Sequence, residues 1–245
     1  MIRVACVSDV HSPKYLGLFK DALRKIDNNK VDLFLFAGDI IYKGKVDELK
    51  TIISVLEDFH IKFPIYACFG NEEYDNLYEE LKEIGKDKII FLEDELVFLH
   101  KAGLTVGIIG TKGSLAEPTW WQQKNFPEIK EIYKKRVKII EDLAGKLNTD
   151  IRILLLHYAP TYSTVIGEPI RAHPQIGDPA FEKIILNQKF KIDVVFHGHA
   201  HRGRKFSLLK NMVPIYNVAF PLRKEITVVN LPRPPSHGSL LNYLK

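Results

Sequence analysis

Short runs of aliphatic, β-branched and aromatic residues recur along the chain, separated by longer stretches with helical spacing. The apolar runs predict strands over Arg3–Ser8, Asp32–Ala37, Ile65–Phe69, Val106–Gly110, Ile151–Leu156, Val194–Phe196, Ile215–Val218 and Glu225–Asn230. Many are apolar at every position, as in strands covered on both faces. Helices are expected over Tyr15–Asn28, Lys45–Phe59, Asp75–Glu83, Glu128–Lys146 and Pro179–Asn187. In the first, Leu16, Phe19, Leu23 and Ile26 make one apolar stripe. In the fourth, Ile129, Ile132, Tyr133, Val137 and Ile140 keep helical spacing beneath the basic run Lys130–Arg136. That run therefore reads as a solvated helix face rather than a nucleic-acid patch. The alternation predicts an α/β fold. The last strands have hardly any helix between them, so the sheet system should be mixed or doubled.

Polar residues of the kind that hold metals sit just past the apolar runs. The first run ends in Asp9-Val10-His11, the second in Gly38-Asp39 and the third in Gly70-Asn71-Glu72. Ile153–Leu156 ends in His157, and Val194–Phe196 ends in His197-Gly198-His199-Ala200-His201. Alone, Asp-x-His or Gly-Asp is a turn or a helix cap, and a lone histidine is a hydrogen-bonded core residue. Together they occupy one topological position, the carboxyl ends of strands, where open α/β sheets bind ligands.

In these motifs the chain resembles the calcineurin-like metallophosphoesterases, over residues 9 to 201. The resemblance implies two mixed β-sheets packed face to face and flanked by helices, a four-layer sandwich. It implies that Asp9, His11 and His201 hold one metal, that Asn71, His157 and His199 hold another, and that Asp39 bridges the two. Nitrogen and oxygen donors without thiolate suit Mn or Fe best, with Zn or Ni also fitting. The implied chemistry is phosphoester hydrolysis by a dinuclear centre and a metal-bound hydroxide. Asp39, Asn71, Glu72 and His157 are the expected catalytic residues.

Many relatives follow the Asn with a His that serves the leaving group. Here Asn71 is followed by Glu72 and Glu73. Glu72 is either a general acid with a raised pKa or a carboxylate that orients a metal-bound histidine. The Pro- and Gly-rich loop after His157 offers other groups. Arg171 could grip a phosphate oxygen and His173 could donate a proton, or both could be incidental surface residues. His197 reads as a core residue or one that supports a metal ligand, rather than as a ligand itself. Trp120-Trp121 is expected in a loop, either stacking on a leaving group or sealing a contact. The missing His and the compact size favour a phosphodiester substrate. Alternatives are a phosphomonoesterase or nuclease of the same fold, or a noncatalytic protein-binding scaffold.

Composition narrows this further. With 46% hydrophobic and 27% charged residues over 245 positions, the chain is an ordinary globular protein with enough length for a large core. No apolar run approaches the roughly 20 residues of a membrane-spanning helix, so no membrane association is expected. Met1–Ser8 reads as a first strand rather than a signal peptide. Two cysteines, Cys6 and Cys68, lie in apolar runs and read as buried thiols, which fits a cytoplasmic location. The net charge of +5 suits an anionic partner such as a small phosphoester or nucleotide. Spread as it is along the chain, it does not favour nucleic acid. Abundant Lys, Glu and Ile with few Met hint at a thermophile. One domain over residues 1–231 is expected. The tail 232–245 should start extended at Pro232, Pro234 and Pro235 and dock on the body or on a second copy in a homo-oligomer.

Overall fold

In the computed structural model, residues 1–232 are described. The apolar runs form two sheets. In the first, β1 (Ile2–Val7), β2 (Leu33–Ala37), β3 (Ile65–Cys68) and β4 (Ile90–Leu92) run parallel. In the second, β5 (Glu95–Lys101) lies antiparallel to β6 (Leu104–Thr111) at one edge. Then come β7 (Ile151–Leu156) and β8 (Val194–His197), both parallel to β6. Beyond them β9 (Phe206–Leu209) lies antiparallel to β10 (Val213–Asn217), which is parallel to β8. Finally β11 (Thr227–Leu231) closes the first sheet against β1, antiparallel. The strand orders are β11-β1-β2-β3-β4 and β5-β6-β7-β8-β10-β9.

The continuous apolar runs follow from double coverage. Along β1, Ile2, Val4 and Cys6 point between the sheets, where they meet Leu33, Leu35, Ile153, Leu155 and Phe196. The alternate residues Ala5 and Val7 point outward, onto Phe19, Leu23, Leu49 and Ile52. Those four come from α1 (Leu16–Leu23) and α2 (Asp47–Asp58), and α3 (Tyr78–Gly85) adds Leu81. On the far side, Leu154, Leu156 and Val195 pack under α5 (Ile129–Ala144) and α6 (Phe181–Ile185). Both faces of the central strands are thus dry, and the architecture is the sandwich of two mixed sheets with flanking helices that the resemblance implied.

Three strands were not expected. β4 has only three residues. β5 is a half-exposed edge with Phe98 54% exposed, so its pattern lacks a clean two-residue period. Its hairpin turns through Ala102 and Gly103, both at positive φ, without the Asn-Gly pair that usually marks such a turn. β9 is likewise an antiparallel edge. α1 stops five residues early, because Asp27-Asn28-Asn29 is a poor helix sequence, although Ile26 still packs on the core. The Trp pair lies on a short helix, α4 (Trp120–Asn125), rather than in a loop. Thr119 and Gln122 cap it reciprocally, which is a readable capping signal. A last short helix, α7 (Phe220–Arg223), precedes β11. Both cysteines are buried free thiols. Among the described residues no helix is long and apolar enough to cross a membrane. Past Pro232 the predicted tail lies outside the described residues.

Candidate metal centre

The parallel strands deliver their carboxyl ends to one crevice. Asp9 and His11 follow β1, Asp39 follows β2, Asn71 follows β3, His157 follows β7, and His199 and His201 follow β8. Four of these leave their strands in the left-handed region: Asp9 at φ 57°, His11 at 46°, Asp39 at 52° and His199 at 66°. Non-glycine residues held there carry backbone strain, which concentrates at functional sites. Main-chain bonds hold the turns together. Asp9 N–H donates to the Gly38 carbonyl at 3.0 Å and His11 N–H to the Asp39 carbonyl at 3.0 Å.

The motif glycines are required by close approach. A Cβ on Gly70 would fall on the Asp39 carboxylate, and one on Gly198 would fall on Ser8 and the Asp9 carboxylate.

Two groups of ligand-type atoms emerge: Asp9, His11 and His201, and Asp39, His157 and His199. Asp39 stands between them, its Oδ2 lying 3.9 Å from His11 Nε2 and 3.5 Å from His157 Nε2. Asn71 joins the second group, with Oδ1 3.0 Å from His157 Nε2. In the first group, Asp9 Oδ1 accepts from His201 Nε2 at 2.9 Å and lies 3.7 Å from His11 Nε2. Its Oδ2 accepts from the Ser8 hydroxyl at 2.5 Å and from His199 N–H at 3.0 Å.

This donor set fits divalent cations. His157 Nδ1 faces the Ala37 carbonyl at 2.9 Å, which places the ring's proton there. Burial holds the imidazole neutral, down to about 4. Nε2 therefore turns a lone pair toward Asn71 Oδ1, acceptor against acceptor, an arrangement that a cation relieves. His11 is similar: it is buried, its Nδ1 has no partner, and its Nε2 stands too far from either carboxylate for a hydrogen bond. Burial lowers it to about 4 as well, and lowers His199 to about 3. Burial also pushes Asp39 well above the usual carboxylate range, with Glu73 and Asp9 adding to it. Burial would raise Asp9 too, but the His201 hydrogen bond and the surrounding rings outweigh it and hold Asp9 well below that range.

The crevice opens as a cavity of about 390 Å³ lined by residues of both groups, with Glu72, Glu168, Ile176 and Arg202 around them. The Glu72 carboxylate accepts the Lys43 N–H at 2.7 Å, and its own N–H donates to Asp39 Oδ1 at 2.8 Å. Arg171 and His173 lie in a six-residue 3-10 turn and do not line the cavity. His173 Nε2 is 3.1 Å from the Glu168 carbonyl, and its ring packs on Tyr162. The same segment reaches the cavity through Ile176 and Glu168 instead. His197 is fully buried, with one ring nitrogen on the Gly198 carbonyl and the other on the Thr164 hydroxyl, as its core reading implied.

One residue carries weight that the pattern did not assign. Glu73 is 1% exposed, and its carboxylate accepts three backbone N–H groups. Those of Asp39 at 2.8 Å and Ile41 at 3.0 Å come from the β2 turn, and that of Gly70 at 2.7 Å from the β3 turn. The only sequence signal was a second acid beside Glu72.

Comparison with known proteins agrees with this geometry. The family model for calcineurin-like phosphoesterases matches residues 2–203. The phosphopantetheinyl hydrolase PptH of Mycobacterium tuberculosis superposes with a TM-score of 0.64 at 14% identity, covering 96% of this chain and 98% of that one. A dimetal phosphatase from Danio rerio superposes with a TM-score of 0.58 at 12% identity, over 88% and 86% of the two chains. At such identities the likeness is one of fold. The curated UDP-2,3-diacylglucosamine pyrophosphatase LpxG of Chlamydia trachomatis is 29% identical over 77 residues, which is 30% of this chain and 23% of that protein.

Proposed function

The chain belongs to the calcineurin-like phosphoesterases, and we propose that it is a phosphodiesterase working with two divalent metal ions. Asp9, His11 and His201 would hold one ion, Asn71, His157 and His199 the other, and Asp39 would serve both. The observation that carries this reading is the place of Asp39, whose Oδ2 lies within 4 Å of an imidazole nitrogen in each group. When bound, such ions supply Lewis acidity toward phosphoryl oxygens and lower the pKa of water. Mn and Fe suit the donor set best, with Zn and Ni also acceptable.

The protein's own contribution is placement. Strand ends fix these seven side chains, and left-handed turns at Asp9, His11, Asp39 and His199 aim them into one crevice. Two divalent ions against Asp9 and Asp39 leave a net charge of +4 − 2 = +2 to receive an anionic phosphoryl group. Glu72, Glu168 and Arg202 line the mouth. No imidazole follows Asn71, and Glu72 is occupied with the Lys43 N–H. That favours substrates whose leaving group needs no proton donor. The test is hydrolysis of bis-p-nitrophenyl phosphate beside p-nitrophenyl phosphate, by metal-stripped protein with and without Mn²⁺. Metal-dependent turnover that favours the diester supports the reading. A monoester preference overturns the diester assignment.

A further inference from the structure

Beside the cavity, the turns after His11 and after Asp39 carry two ammonium groups, those of Lys14 and Lys43, that the metal centre does not use. Tyr42 N–H donates to the Ser12 carbonyl at 3.1 Å and Gly44 N–H to the Glu72 carbonyl at 2.9 Å. Between them Lys43 sits at φ 51°, its own N–H bound to the Glu72 carboxylate at 2.7 Å. Residues 42–44 are thus strapped to the strand-end turns that carry His11 and Asn71. The Tyr42 ring meets the His11 ring edge-on, with centroids 5.8 Å apart at 87°. The Lys43 ammonium lies 5.1 Å from the Tyr42 ring centre, and the Lys14 ammonium lies 5.6 Å from it and 5.0 Å from that of Tyr15. Lys14 N–H in turn donates to the His11 carbonyl at 2.7 Å. Among the described residues neither ammonium forms an ion pair, while eight other lysines do.

We propose that Lys14, Tyr42 and Lys43 form a subsite for a second phosphoryl group, so that the substrates of this site are diesters of diphosphate, such as dinucleoside or nucleotide-sugar diphosphates. The proposal rests on the phosphodiesterase reading and narrows it. Each phosphorus of such a substrate carries one negative charge. One would occupy the metal centre beside His11, and the other would meet the two ammoniums carried on the Tyr42 ring that packs edge-on against His11.

The chemistry also accounts for the residue after Asn71. Water adds across the P–O–P bridge. Its oxygen bonds to one phosphorus, the bridging bond to that phosphorus breaks, and the bridging oxygen departs on the other. The leaving group is a phosphomonoester with a second pKa of about 6, so it departs near neutral pH without a proton donor. Two protons pass to solvent as both products become dianions. Cations beside the leaving phosphate, rather than an acid, are what the step needs.

The test measures binding, by calorimetry on the Mn²⁺-loaded protein. The ligands are the α,β-methylene analogue of a dinucleoside diphosphate, which resists hydrolysis, and a nucleoside monophosphate. The Lys14→Ala/Lys43→Ala double variant should weaken the diphosphonate about tenfold more than the monophosphate. Lys134→Ala, which removes one of the exposed charges of α5, should shift neither. Equal weakening of both ligands would reduce the lysines to general electrostatics and overturn the subsite. So would a Lys134→Ala effect matching that of the double variant, or a wild type that binds the diphosphonate no better than the monophosphate. Turnover of bis-p-nitrophenyl phosphate, run in parallel, reports separately on the phosphodiesterase reading. Silence there with selective diphosphonate binding would sink that reading and leave the subsite standing.

Discussion

Glu73 Oε2 takes the backbone N–H of Asp39 at 2.8 Å, and the same oxygen takes that of Gly70 at 2.7 Å. A buried carboxylate therefore splices the turn after β2 to the turn after β3, and Asp39 is aimed by a residue that touches no substrate. Glu73→Ala would orphan three buried donors, including Ile41 N–H. A loss of about 3 kcal/mol or more is expected in urea unfolding of the metal-free protein. Glu73→Gln keeps one oxygen for the shared pair of donors and should cost about 1–2 kcal/mol. An alanine variant as stable as the wild type would show that the splice is incidental.

Gly70→Ala tests close approach rather than hydrogen bonding. The new Cβ would collide with the Asp39 carboxylate and with its backbone nitrogen. Overpacking of this kind costs about 1–3 kcal/mol, and here it also displaces Asp39. Mn²⁺ affinity measured by titration should fall by more than the change in stability explains. Unchanged affinity would mean that Asp39 has slack.

Glu72→Gln separates the two roles open to that residue. A glutamine oxygen can still accept the Lys43 N–H, so the turn should survive. Turnover on esters with good and poor leaving groups should then fall together, if it falls at all. A selective loss on the poor leaving group would identify Glu72 as a proton donor.

The pH dependence of the metal-free protein follows from buried imidazoles. Burial lowers His157 and His197 to about 4 each in the folded state, against about 6.5 in the unfolded chain. Between these values the unfolded chain binds more protons, so stability rises with pH and is lost as pH falls from about 6.5 toward 4. Each such imidazole contributes a slope of up to about 1.4 kcal/mol per pH unit. Thermal unfolding of metal-stripped protein across that window should show a steep fall. A flat profile would mean that the rings are charged in the fold.

Much of this architecture was legible in the chain because its physics is local. Strands buried on both faces write continuous apolar runs, so β1, β2, β7 and β8 were visible. Their polar ends stand out by contrast, so Asp9, Asp39, His157 and the His199/His201 pair were visible too. What escaped depends on partners far along the chain. β5 is half exposed and gains its identity only from pairing with β6. Glu73 looks like one of two adjacent acids until the β2 turn folds over it. Lys14 and Lys43 are 29 positions apart and meet around Tyr42 only in the folded chain. Arg171 and His173 stand out by residue type, yet the geometry brings Ile176 and Glu168 to the cavity in their place.

The most direct test of the dinuclear reading counts metal. Wild-type protein and Asp39→Asn would be stripped, reloaded with Mn²⁺, desalted and assayed by elemental mass spectrometry beside protein concentration. Because Asp39 Oδ2 lies near both groups, two ions per chain are expected in the wild type and a loss from both positions in the variant. A wild type that saturates at one ion, or a variant that keeps two, would contradict the shared role of Asp39 and with it the two-ion centre as assigned.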